Sequence, residues 1–102
     1  MSEKFTRYDT AEYLKTNADM AAYFDACLEE AGDDPAFIAN ALGVIARAHG
    51  MTQLARETGL ARENLYKALS ADGNPEFGTI LKVIKALGLK LHAGTGKSKK
   101  AA

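Results

Sequence analysis

The sequence predicts an all-α fold, a bundle of five to six helices that contains a helix-turn-helix and a short strand near its C-terminal end. Three observations carry this. Helix start and stop residues recur along the 102 residues. Apolar residues between them repeat at three- and four-residue spacing. Two short helical stretches are joined through "TGLA" at 58–61.

Taken in order, Asp9 with Glu12 three residues on makes a capping-box pattern and opens a short helix to about Lys15. "TNADMAAYFDACLEEAG" then places Met20, Phe24, Cys27, Leu28 and Ala31 on one stripe and stops at Gly32. Asp34 as N-cap and Pro35 at the first helical position open a third helix, striped by Ile38, Leu42 and Ile45 and ended by Gly50. Residues 51–58 make a short helix with Leu54 and Ala55 inward and Gly59 as its stop. The next runs from Arg62 to Leu69 with Leu65, Ala68 and Leu69 on its buried face.

"SADGNPEF" reads as a loop in which Asn74 and Pro75 supply the cap and first turn of the last helix. That helix carries Phe77, Ile80, Leu81, Ile84 and Leu87, and Gly88 closes it. "LKLH" alternates in period two, the pattern of a short edge strand. Residues 92–102 form a basic tail expected to be disordered. The chain is expected to be one domain: N-terminal helices over 8–50, the helix-turn-helix region with the following helix and strand over 51–91, then the tail.

A composition of 47% hydrophobic and 25% charged residues is that of a soluble globular domain. No apolar run nears the roughly 20 residues of a membrane span. The opening "MSEKFTRYDTAEYL" lacks the apolar centre of a signal peptide, and the one cysteine, Cys27, has no internal partner for a disulfide. Together these point to the cytoplasm, with no membrane partner. The net charge of zero conceals a division. Residues 1–34 hold nine acids against three bases, a balance of −6, and residues 35–102 hold ten bases against four acids, a balance of +6. A polyanionic partner is therefore compatible with the second part.

The turn between the two short helices is the informative feature. A steep crossing through so few residues needs a left-handed backbone, which Gly59 adopts without steric cost, and Ala55 four residues earlier allows close approach. Leu60, Leu65 and Ala68 then pack the second helix on the first. Arg62, Glu63, Asn64, Tyr66 and Lys67 are left projecting outward, as on a helix that enters a DNA major groove. On such a helix Arg62 and Lys67 donate to guanine or phosphate, and Asn64 pairs with adenine. Tyr66 packs on a thymine methyl or bonds a phosphate. Glu63 accepts from cytosine or orients Arg62. Gln53 and Lys82 are candidates for contacts to the phosphate backbone.

Other motifs carry less. "GTGKS" at 94–98 has Leu91 where a phosphate-binding loop needs its first glycine. His49, His92 and Cys27 lack metal-ligand spacing, so no metal or other cofactor is expected. His49 suits a helix C-terminus, and Cys27 a core position. Glu29–Glu30 and Asp33–Asp34 have no accompanying base or nucleophile. No catalytic constellation emerges, so the chain is not read as an enzyme.

Residues 51–91, "MTQLARETGLARENLYKALSADGNPEFGTILKVIKALGLKL", resemble the helix-turn-helix domain of Cro/repressor-like proteins. With the upstream "AEYLKTNADMAAYFDACLEEAGDDPAFIANALGVIARA", the chain from about Tyr8 to Leu91 resembles the probable addiction-module antidote family. "TGLARENLYKAL" and "GNPEFGTILKVIKALGL" are the most specific pieces. The resemblance implies an antitoxin, paired with a RelE/ParE-like toxin, that binds its operator in double-stranded DNA and represses its own operon. Two departures from the wider repressor class stand out. Ala61 occupies a position where Ser or Thr often caps the recognition helix, and Gln53 lies off the register of the usual Gln at the start of the preceding helix.

A homodimer is expected, because one recognition helix contacts few bases and dimers of this class read two half-sites. Residues 77–87 and "LKLH" are its expected contacts. The acidic first part, with Tyr8, Tyr13, Tyr23 and Phe24, is the expected surface for a basic toxin, and Phe24 suits the core equally well. Two alternatives stay open: a protein-interaction module without DNA binding, and a stand-alone transcriptional regulator.

Overall fold

Residues 13–95 are described by the computed structural model. Five helices lie wholly within them: α1 (Asn17–Ala31), α2 (Pro35–His49), α3 (Met51–Thr58), α4 (Arg62–Ala68) and α5 (Phe77–Ala86). The fold is all-α among these residues. Of the helix expected from Asp9 to about Lys15 only residues 13–15 are among them: Tyr13 is helical, whereas Leu14 and Lys15 are not. Its start and the tail beyond residue 95 lie outside the described residues.

The chain is organised around α2, whose Ala39, Ala41, Leu42, Gly43, Val44, Ile45 and Ala46 are all buried. The predicted stripe of Ile38, Leu42 and Ile45 is one side of a helix that is apolar nearly all round, because both α1 and α3 pack on it. Its start follows the sequence reading: Asp34 Oδ1 accepts from the Phe37 N–H at 3.2 Å, and Pro35 opens the first turn. At its centre Gly43 has an ordinary helical neighbourhood but no room. A Cβ there would overlap the Leu69 carbonyl oxygen, so the end of α4 sits directly on the α2 backbone.

α1 has a capping box that the sequence reading passed over. Thr16 Oγ1 accepts from the Asp19 N–H at 3.0 Å, and Asp19 Oδ2 accepts from the Thr16 N–H at 3.1 Å. The helix buries Met20, Phe24 and Cys27, and burial pushes the Cys27 thiol up from its ordinary value. Leu28, expected on the same stripe, is exposed. α1 packs chiefly on one neighbour, so its buried stripe is narrow and Leu28 falls beside it. Gly32 ends the helix with a right-handed backbone (φ −65°), not a left-handed one.

The last helix departs from expectation in two ways. It begins at Phe77, with Glu76 extended (φ −69°, ψ 155°) as an N-cap that makes no side-chain bond, so Asn74 and Pro75 lie in the loop. Its buried face is Val83, Ile84 and Leu87, whereas Phe77 and Leu81 are 68% and 42% exposed. Gly88 (φ 78°) does close it, in a Schellman arrangement: its N–H donates to Lys85 O, and the Leu89 N–H donates to Ile84 O, both at 3.0 Å. This arrangement also removes the expected strand. The Leu89 backbone is already committed to the helix end and its side chain packs on the core, and "LKLH" is not a strand.

One apolar cluster draws residues from all five helices, with Leu42, Ile45, Leu54, Leu65 and Leu87 at its centre. Each such burial contributes about 1.5–3 kcal/mol. Among the described residues no helix is long and apolar enough to cross a membrane.

Candidate nucleic-acid interface

α3 and α4 are joined by three residues, and each end of the joint has a physical cause. α3 ends in the left-handed backbone of Gly59 (φ 77°, ψ 12°), whose N–H donates to Ala55 O at 2.9 Å. Nothing lies within 4 Å of where a Gly59 Cβ would stand, so the glycine answers a dihedral requirement and not a lack of space. Thr58 is a second fastener that the sequence reading missed. Its hydroxyl donates to Leu54 O at 2.8 Å and accepts from the Leu60 N–H at 3.2 Å, tying the last turn of α3 to the start of the turn. A hydroxyl beside the stop glycine was the available signal.

α4 starts at Ala61, whose extended backbone (φ −70°, ψ 144°) suits an N-cap, but no side chain caps it. Leu65 and the following Leu69 are buried and hold the helix to the core. Arg62, Glu63, Asn64, Tyr66 and Lys67 are all exposed, so the five predicted side chains share the solvent side of one short helix. The Arg62 guanidinium lies 5.8 Å from the centre of the Tyr66 ring, one turn away, close enough for a weak cation–π attraction.

Gln53 and Lys82 are exposed as well, but on other helices, α3 and α5. Gln53 is partly engaged: its Nε2 donates to Glu57 Oε2 at 3.0 Å. The other oxygen of Glu57 lies 3.0 Å from His49 Nε2. The Gln53 amide first, and His49 second, hold the Glu57 carboxyl below its ordinary value. His49 at the end of α2 is thereby clasped to α3, a use that its place near a helix C-terminus did not foretell. Arg56, exposed on the last turn of α3, adds a positive charge to this side that the sequence reading left out. Among the described residues no three His, Cys, Asp or Glu side chains gather as a metal site.

Residues 4–95 match the family model described as probable addiction module antidote protein. An uncharacterized protein of Haemophilus influenzae is 47% identical over 92 residues, which cover 90% of this chain and 93% of that protein. No solved structure matches. With nearly its whole length matched, the chain belongs to the probable addiction module antidote family.

Proposed function

We propose that this protein is the antitoxin of a toxin–antitoxin pair, and that the α3–turn–α4 unit is a Cro/repressor-like helix-turn-helix that reads double-stranded DNA. The observation that carries the reading is the outer side of α4. A helix of seven residues held by two buried leucines exposes a guanidinium, an amide, a phenol, an ammonium and a carboxylate, each suited to directional bonding with base edges or phosphates. In this reading Arg62 and Lys67 donate to guanine or phosphate, and Asn64 pairs with adenine. Tyr66 packs on a thymine methyl or bonds a phosphate, Glu63 accepts from cytosine or orients Arg62, and Gln53 and Lys82 set the register on phosphates.

Membership of an antidote family supplies the second half of the reading: a toxin partner. We take it to be RelE/ParE-like. The antitoxin neutralises it in the cytoplasm and, as a homodimer on its operator, represses the shared operon. The test is a gel shift with the protein's own promoter at two salt concentrations. Arg62→Ala and Lys67→Ala are each expected to cost about 1–3 kcal/mol on the specific site where the side chain reads a base. Where it meets only phosphate, the expected result is uniform weakening and a salt slope smaller by about one. Unchanged binding by the double variant removes α4 from the interface.

A second reading has its own observation. From Thr16 to Ala46 the chain contains no Lys, Arg or His, while its six acids are all exposed. A surface of this kind suits a protein partner and not DNA, and as the sole functional surface it would make the chain an interaction module.

A further inference from the structure

Between α1 and the segment that follows α5 runs a groove of about 630 Å³. Ala18, Ala21, Ala22, Asp25 and Leu28 form one wall, and Leu91 lies on the other. The three alanines are exposed and small, so another backbone can approach α1 closely. Leu28 and Leu91 are 36% and 40% exposed and extend the apolar surface of the alanines. Asn17 and Gly88 both line it, with the Asn17 amide close to where a Gly88 Cβ would stand.

Of the charged side chains that line it, Asp25 is acidic and Lys90 basic, and the two do not pair. Glu29, one turn beyond Asp25 on the same face of α1, is exposed, and like Asp25 it enters no ion pair among the described residues. α1 carries no Lys, Arg or His, so its own side of the groove offers carboxylates to a cationic ligand.

We infer that this groove is where the cognate toxin docks, by a basic amphipathic helix that lays its apolar side on Leu28 and Leu91 and its cations against Asp25 and Glu29. The inference rests on the antitoxin reading and gives it a place. A toxin that handles RNA or the ribosome carries cationic surface for that purpose, and an antidote that covers such surface must itself be acidic there. The mode is a helix in a groove, with small residues setting the closeness of approach and acids at the rim setting orientation. It differs from the expectation that placed the toxin on aromatic residues of the first part: Phe24 is buried and Tyr23 half-buried, which leaves Tyr13 as the one exposed ring of that set among the described residues.

The experiment uses the full chain and the protein encoded by the adjacent gene, tagged and co-expressed. Affinity is then measured by calorimetry for the wild type, Ala22→Arg, the pair Asp25→Lys and Glu29→Lys, and a control pair Asp72→Lys and Glu76→Lys in the loop before α5. All the changed positions are exposed, and thermal melts verify that each variant folds. The expected result is that both groove variants weaken toxin binding at least about tenfold and leave promoter binding unchanged, while the control pair binds toxin as the wild type does. Folded groove variants that retain full toxin affinity overturn the inference, as does loss confined to the control pair. A wild-type protein that binds no neighbouring product at all overturns the antitoxin reading itself, which separates the two failures.

Discussion

α2 and α4 meet where the Leu69 carbonyl rests on Gly43, yet they are made differently. α2 is fifteen residues long, capped by Asp34, and buried on most of its circumference. α4 is seven residues long, has no side-chain cap, and is held to the core by Leu65 and Leu69, with Ala68 partly buried beside them. One is a post and the other a display. A helix of two turns has no independent stability, so its position is whatever its neighbours impose. Its outward residues carry little of the folding free energy, because they are exposed and the buried leucines hold the helix. The comparison teaches that the exposed side of α4 is separable from what holds the fold, except at the few points where the helix is fastened.

Gly43→Ala strikes the fastening itself and is expected to have the largest effect. Its Cβ must displace the Leu69 carbonyl, and overpacking of this kind costs about 1–3 kcal/mol, read as a lower urea midpoint at unchanged slope. Because the displaced atom ends α4, weaker promoter binding is expected even where the fold survives. Gly59→Ala comes next. Space is open there, so only the left-handed backbone is penalised, by about 1 kcal/mol, and Gly59→Asn is expected to cost less. Ala61→Ser works in the opposite direction. A hydroxyl at an N-cap that already has the extended conformation is expected to add about 0.5–1 kcal/mol, raising the melting temperature. If Ala61→Ser is neutral, α4 is already held rigid by its neighbours and the contrast with α2 is overdrawn.

The smallest effect concerns the clasp between α2 and α3. The Glu57 carboxyl is held below its ordinary value, so its contribution is present above the usual carboxylate range and is lost as pH falls through the lowered value. Melting temperature is therefore expected to drop more between pH 6 and pH 3 for the wild type than for Glu57→Gln. The difference should shrink in high salt, since the pair is exposed.

What was legible in the sequence was local. Asp34 with Pro35, Gly59 and Gly88 each specify a cap through their own backbone chemistry, and each stands where the sequence places it. The outward set on α4 was legible because Leu65 and Leu69 fix which side is buried. The capping box at Thr16 was within reach but has Asp19 where Glu or Gln is usual. Gly43 was not legible at all, since its constraint comes from a residue 26 positions later in the chain. Period-two alternation at 89–92 misled for a related reason. A strand needs a partner, and the hydrogen bonding of Leu89 was already taken by the helix behind it. Phe77 and Leu81 fit a helical stripe, yet the core stops short of them.

The contact of Asn17 with Gly88 has a bearing on how the chain folds. The clasp of His49 and Glu57 closes a loop of eight residues, whereas this contact closes one of roughly 70. In chain entropy the longer closure costs about 2 kcal/mol more. Local pairings, that of α1 with α2 included, are therefore expected to form before it. The meeting of the start of α1 with the end of α5 is then expected to come late in folding, and it is the step that completes the groove.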